Sequence, residues 1–461
     1  MITKIIDRQR DFFLKGSTLN IKFRLMNLEK LRSLILSNYD DIITAFSKEF
    51  NKSEFDVVST EISMVISEID FFIKNLKKLV KVKKVKSNII NIPSKGYIIP
   101  EPYGVCLIMS PWNYPFQLAM LPLVGAIASG NTVVLKPSNY SPNVSIVLEN
   151  ILSNFDKRLI SVVLGGREVN QNLLDHKFDY IFFTGSVNVG KFVMEKAARN
   201  LTPVTLELGG KSPCIVDAKC DLDIACKRIV WGKYLNAGQT CVAPDYILVH
   251  KNIHDDFVTK VLEYIESFYY KNNRLSKDFP EIINDKHLDR LKNLILKNNL
   301  VFGGNVKGRT LEPTVLDNIS FGDKIMKEEI FGPIMPIIEY ENIDNVIYDM
   351  KRMNKPLALY IFSSDRKVIK KVLRNISSGG ACINDVIMHL TNDKLPFGGV
   401  GARGVSTSGM GSYHGQKSFE TFSHYKSVFE KSKSEFQVKY PPYNEKKLKT
   451  IKKLMKVNEV K

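Results

Sequence analysis

Residues 1 to about 78 place apolar side chains three and four positions apart, as at Leu28, Leu31 and Ile35 and again at Ile62, Ile66 and Ile69. That spacing gathers them on one helix face and predicts a helical lead-in. From Gly96 the pattern changes to short apolar runs closed by Pro or Gly and followed by helical stretches: Val105 to Met109, Thr132 to Leu135, Ile160 to Leu164 and Tyr180 to Phe183. Strands alternating with helices predict a parallel sheet covered on both faces. A second alternation starts near Lys211, with strands expected at Ser212 to Val216, Tyr246 to His250, Met335 to Glu339, Ala358 to Phe362 and Ala381 to Asn384. The fold class predicted is therefore α/β, two stacked domains each built on a parallel sheet. Between them the paired glycines of Glu207-Leu208-Gly209-Gly210 suit a crossover with little side-chain bulk. The chain from Phe397 is glycine-rich and then basic, and no fixed-period repeat interrupts the pattern.

A length of 461 residues, 44% apolar and 25% charged, exceeds what one hydrophobic core serves, so two or three domains are expected. The most apolar windows, Val105 to Met109 and Leu118 to Ala128, are broken well short of the roughly 18 residues that crossing a membrane needs. Asp7, Arg8, Arg10 and Asp11 interrupt anything resembling a secretory leader. Six cysteines at 106, 214, 220, 226, 241 and 382, without paired spacings, read as free thiols in a reducing compartment. The localisation expected is cytoplasmic, with no metal site. A net charge of +18 could answer a polyanion, but Lys77 to Lys86 is mixed with Leu and Val and Lys446 to Lys456 reads as an amphipathic tail. Neither carries an aromatic platform, so the charge reads as solvated surface, with no nucleic acid partner and no stable membrane insertion.

Three segments carry candidate chemistry. Asn236-Ala237-Gly238-Gln239-Thr240-Cys241 sets a thiol just after a small-residue turn, where a cysteine can be exposed and nucleophilic, although a lone cysteine is more often buried and inert. Thr205 to Lys211 puts a single carboxylate, Glu207, in an apolar strand end, where burial would raise its pKa toward a general base's range. The plainer reading is a helix cap or an ion pair. Pro111-Trp112-Asn113-Tyr114-Pro115-Phe116 fixes the Asn113 amide between prolines, and a rigid amide donor suits a developing oxyanion. His250 and His254 lack the Glu of a zinc-protease helix and read as surface residues. The literal G-x-G-x-x-G of Gly399 to Gly404 follows Pro396-Phe397 rather than a strand, and is set aside.

Together with Leu135-Lys136-Pro137-Ser138, Phe183-Thr184-Gly185-Ser186 with Gly190, Glu328-Glu329-Ile330-Phe331-Gly332-Pro333 and Pro396-Phe397-Gly398-Gly399, these segments resemble the aldehyde dehydrogenase superfamily in its own order over nearly the whole chain. The ending Ser408 to Gly415 through Phe422-Ser423-His424 is similar to the class 3 branch, whose members act on medium or long aliphatic and aromatic aldehydes. The resemblance implies Cys241 as nucleophile, Asn113 as oxyanion donor and Glu207 as base for thioester hydrolysis. It implies NAD or NADP as cofactor, with Lys136 and Asn139 at the adenosine ribose, Gly185, Ser186 and Gly190 at the pyrophosphate turn, and Glu329 and Phe331 at the nicotinamide ribose and ring. Tyr114, Trp231 and Phe397 are expected along the substrate channel. The organisation implied is a Rossmann-like cofactor domain over 1–78 and 97–210, a catalytic domain over 211–396, and a small oligomerisation arm and C-terminal segment over 79–96 and 397–461, with a homodimer as the assembly.

Two departures stand out. Lys-Pro-Ser is commonly followed by Glu in the family, and here by Asn139, which bears on cofactor choice; Ala402 to Thr407 makes a longer, more polar connection than class 3 usually has. Two other functions share much of the pattern. A CoA-acylating aldehyde dehydrogenase uses the same thiol but resolves the thioester with CoA, and Glu207 speaks against it. A non-catalytic structural protein on the same fold would not need Asn113, Glu207 and Cys241 together.

Overall fold

The computed structural model describes residues 2–88, 91–401, 408–433 and 437–457; the connection Ala402 to Thr407 lies outside them. Helices Ile2–Leu14, Ile21–Ser37, Tyr39–Phe50 and Ser63–Leu79 form the lead-in and bury Leu28, Leu31, Ile35, Ile62 and Ile69, the stripe the spacing predicts. Between the last two, Val58–Ile62 is a single widened π turn. Strands β1 (Lys83–Val85) and β2 (Ser94–Pro102) follow, and then β3 (Val105–Met109), β4 (Thr132–Lys136), β5 (Ile160–Val162), β6 (Tyr180–Gly185) and β7 (Val204–Leu208) alternate with helices.

The second alternation holds β8 (Pro213–Val216) and β9 (Tyr246–His250), a short hairpin of β10 (Tyr270–Lys271) and β11 (Arg274–Leu275), then β12 (Leu300–Phe302), a second hairpin of β13 (Val306–Lys307) and β14 (Thr310–Leu311), and β15 (Thr314–Leu316). It closes with β16 (Ile334–Tyr340), β17 (Ala358–Phe362) and β18 (Gly380–Ile383). The chain then returns for β19 (Gly409–Met410) and β20 (Ser423–Lys431).

The first sheet runs β19-β7-β6-β3-β4-β5, parallel except for β19, and the second β12-β15-β16-β9-β8-β17-β18, parallel except for β12. Their inner strands are almost wholly buried, every position of β3, β4 and β17 and all but the last of β9, because helices cover both faces. Two crossed alternations thus give the two sheets the periodicity predicts. The returning β19 pairs antiparallel with β7, Gly409 opposite Glu207, so the first sheet takes its last strand from the far end of the chain. A third, antiparallel sheet β1-β2-β20 stands apart as a ribbon, with β2 and β20 paired from Ser94↔Lys431 to Pro102↔Ser423.

One expectation fails outright. His254 is buried, not a surface residue: its Nε2 lies 2.9 Å from Asp317 Oδ1 on the loop after β15. The contact is tertiary and leaves no trace in local sequence. Lys446 to Lys456 does fold, as the exposed helix Glu445–Leu454, and no helix among the described residues is long and apolar enough to cross a membrane.

Candidate active site

The turn that carries Cys241 is built from backbone that few residues tolerate. Asn236, Ala237 and Gly238 all have positive φ, at 53°, 50° and 70°, and for an alanine that conformation is strained. Surrounding contacts hold it. The Gln239 amide donates to the carbonyls of Asn236 and Glu281 and accepts from Ile283 N–H, Tyr360 Oη donates to the Val242 carbonyl, and Tyr114 Oη lies 2.6 Å from Thr240 Oγ1. Asn113 is tied to the same turn from the side. Its Nδ2 donates to the Gln239 carbonyl at 3.1 Å, and its own carbonyl accepts from Asn236 Nδ2 at 2.9 Å. The amide is thereby fixed beside the thiol with a second N–H to spare.

Glu207 is 3% exposed near the end of β7, and neither carboxylate oxygen has a hydrogen-bond partner among the described residues. Burial alone pushes its pKa well above the ordinary carboxylate value. Burial likewise pushes the Cys241 thiol up to about 12, with the Glu329 and Glu207 carboxyls adding to it. Glu329, held against Gly209 and accepting from the Gly210 N–H, is raised to about 8, again chiefly by desolvation. Three acidic groups facing one space, each disfavoured as an anion, form an arrangement that awaits positive charge.

That space is a cavity of about 510 Å³ lined by Asn113, Gly185, Ser186, Glu207, Cys241, Glu329, Phe331 and Phe397. The fold thus brings together eight of the residues predicted from sequence. The other five lie elsewhere. Tyr114 is behind the thiol, 7% exposed. Lys136 ends β4, 2% exposed, its Nζ donating to the Pro137 carbonyl at 2.6 Å, and burial lowers it to about 8. Asn139 is exposed just beyond it. Gly190 sits one turn into helix Val187–Ala198, where a Cβ would come within 2.6 Å of Leu208. Trp231 lies on helix Leu222–Tyr234, 37% exposed and not among the residues lining the cavity.

These features suit a nicotinamide dinucleotide. β6 ends at Gly185, where a Cβ would come within 2.6 Å of the Phe183 ring, and the helix begins after Ser186, whose side chain does not cap it. Bare backbone at a helix N-terminus is a seat for pyrophosphate. A buried ammonium with one acceptor in place, Lys136, retains donors for ribose hydroxyls.

The chain belongs to the aldehyde dehydrogenase family, which it matches over residues 2–428. It is an NAD(P)-dependent enzyme that oxidises aldehydes. It is 47% identical over 438 residues to the 4,4'-diaponeurosporen-aldehyde dehydrogenase of Staphylococcus aureus, covering 94% of each chain. With the dimeric NADP-preferring aldehyde dehydrogenase of Mus musculus it shares 45% over 447 residues, 96% of this chain and 98% of that one. Among solved structures, the substrate-bound state of Staphylococcus aureus AldH superposes with a TM-score of 0.95 at 45% identity, over 99% of both chains.

Sequence reasoning missed several residues of the site. Trp112 packs its ring 5.3 Å from Phe331 and 5.1 Å from His287, forming one cavity wall, and Arg290 donates to the carbonyls of Glu329 and Ile330. His287 and Arg290 come from helix Asp285–Lys292, which carries no chemical motif. Lys52 and Glu61, buried behind the site, were missed as well. Nothing local marks these two, because an amphipathic lead-in carries charged residues throughout.

Proposed function

We propose that the enzyme oxidises a medium- or long-chain aliphatic or an aromatic aldehyde to its carboxylic acid through a thioester on Cys241. The observation that carries this reading is Glu207, a buried carboxylate with no hydrogen-bond partner among the described residues, which lines the same cavity as the thiol and the Asn113 amide. Cys241 as thiolate adds to the carbonyl carbon, and the resulting oxyanion is held by Asn113 Nδ2 and the Cys241 backbone N–H. NAD(P)⁺, when bound, would supply the hydride acceptor and a positive charge. Loss of hydride from the thiohemiacetal leaves the thioester. Glu207 then takes a proton from water as the oxygen attacks the acyl carbon, and collapse of that adduct expels the Cys241 thiolate with the acid.

Lys136 and Asn139 serve the adenosine ribose, Gly185, Ser186 and Gly190 the pyrophosphate, and Glu329 and Phe331 the nicotinamide end. Because Asn139 puts no carboxylate near the ribose 2′ position, NAD and NADP are both accepted; the mouse relative named as NADP-preferring supports this. Phe397, which lines the cavity, borders the aldehyde's path, while Tyr114 supports the site from behind the thiol. Residues 1–78 and 97–210 serve the cofactor and 211–396 the chemistry, while 79–96 and 397–461 supply the arm of a homodimer. The ribbon of β2 and β20 and the word dimeric in the mouse relative's name support that assembly.

Rapid mixing of Glu207→Gln with cofactor and aldehyde tests the chemistry. One equivalent of reduced cofactor should form, followed by steady turnover slowed on the order of 10²-fold or more. Turnover within about twofold of wild type would sink the role of Glu207, and wild-type turnover accelerated by CoA would move the reaction to acyl transfer.

A further inference from the structure

The most heavily buried ion pair among the described residues is Lys52 with Glu61, 3.4 Å apart, with side chains 1% and 0% exposed. It lies outside every motif of the catalytic reading. Lys52 follows the C-terminus of helix Tyr39–Phe50, and Glu61 sits in the π turn Val58–Ile62. A widened turn rotates the side chains it carries relative to a regular helix, and such turns recur at functional positions.

The pair is oriented toward one segment. Glu61 Oε2 accepts from the Gln117 N–H at 2.8 Å, and the Phe116 N–H also bonds this carboxylate. These N–H groups open the wholly buried helix Gln117–Ser129, where an anion is favoured. Lys52 Nζ lies over three rings, Phe46 at 5.3 Å, Phe50 at 5.2 Å and, nearest, Tyr114 at 4.5 Å. The carboxylate therefore anchors the backbone just after Asn113-Tyr114, and the ammonium anchors the Tyr114 ring. That segment in turn reaches the strained turn before Cys241 at three points: Asn113 to Gln239, Asn236 to Asn113, and Tyr114 to Thr240.

We infer that Lys52 and Glu61 are positioning residues which, through Tyr114 and the 113–117 backbone, fix the Asn113 amide and the Cys241 thiol relative to each other. Neither lines the cavity, so neither meets the substrate. Burying two charges costs several kcal/mol before their attraction is counted, and apolar replacements of similar volume are often neutral or stabilising. Stability alone is thus a weak reason for this pair, whereas a register between two loops is one it can set. The left-handed run Asn236–Gly238 is held by contacts from across the fold, and the 113–117 segment supplies several of them.

The inference rests on the assignment of Cys241 and Asn113 above, and the test keeps the two apart. The charge-free double variant Lys52→Met/Glu61→Gln removes both charges together, so it should fold even where a single variant leaves an orphaned charge. Thermal melting, kcat and KM for cofactor and aldehyde, and the rate of Cys241 alkylation by iodoacetamide without cofactor are measured on it. The expectation is a melting temperature at or above wild type, a kcat reduced about tenfold or more, cofactor KM within about twofold, and an alkylation rate changed at least about threefold. Adding Tyr114→Phe should then cost little more, because the pair acts through that ring. A double variant that keeps both kcat and alkylation rate within about twofold of wild type overturns the inference. So does one whose kcat falls while alkylation and the Tyr114→Phe increment stay as in wild type. Activity remaining in Cys241→Ser would instead overturn the reading of the reaction, whatever the pair does.

Discussion

Glu207 and Glu61 are both buried carboxylates, 3% and 0% exposed, the first lining the cavity of the nucleophile and the second set away from it. In front, Glu207 has no hydrogen-bond partner among the described residues. Behind, Glu61 meets an ammonium and two N–H groups, and nearby Glu68 accepts from Gly415 N–H and Ser418 Oγ. Burial is common to all three. What differs is satisfaction: a paired buried charge holds elements together, while an unpaired one stores a demand for a proton or a cation, which is what a base needs.

The largest expected effect breaks the comparison if it fails. Cys241→Ser should lower turnover by about 10³-fold or more, because a hydroxyl at neutral pH is a poor nucleophile. Cys220→Ser, at the other part-exposed cysteine, should leave kcat within about twofold. Steady-state rates on both variants, with circular dichroism to check folding, decide it.

A carboxylate added at the exposed end of the cofactor groove sharpens the contrast between paired and unpaired charge. Asn139→Glu should shift the ratio of kcat/KM values toward NAD by at least about tenfold, since a carboxylate repels a 2′-phosphate. Equal ratios in wild type and variant would show that position 139 does not face the ribose.

Behind the site, Glu68→Leu should cost on the order of 1–3 kcal/mol by stripping Gly415 N–H and Ser418 of their acceptor, lowering Tm by several degrees. The burst amplitude should persist. Loss of the burst in a folded variant would mean that the back of the site is not separable from its front.

The smallest effect concerns pH. Because the folded pKa of Glu207 is raised above its unfolded value, the stability tied to its neutral form is complete below about 4.5 and is lost as pH rises through the folded pKa. Glu207→Gln suffers no such loss. Its Tm should match wild type near pH 5 and exceed it increasingly toward pH 9, and a gap independent of pH would mean that Glu207 has a partner in solution.

Much of this was legible in the chain. Inner strands such as β3, β9 and β17 fall where the apolar runs place them, because strands buried on both faces must be apolar throughout. Asn113, Glu207 and Cys241 stood out because each sits in a short segment whose composition constrains its backbone. Edge strand β12 and its neighbour β15, three residues each, carried too little pattern to find. Lys52, Glu61, His254, His287 and Arg290 act through contacts made across the fold, which local spacing cannot encode. Trp231 shows the converse error risk, an aromatic close in sequence to the nucleophile that lies on a part-exposed helix face.

The last strand of the first sheet also has a consequence for synthesis on the ribosome. β7 leaves the exit tunnel about 200 residues before β19, the strand that covers its edge. At roughly 5–20 residues per second, that edge stands open on the order of 10–40 s in each nascent chain. During that interval the N-terminal half presents unpaired backbone donors and acceptors beside apolar side chains, the condition under which neighbouring chains on a polysome pair wrongly. Translation speed between those two strands therefore sets how long that edge stands uncovered.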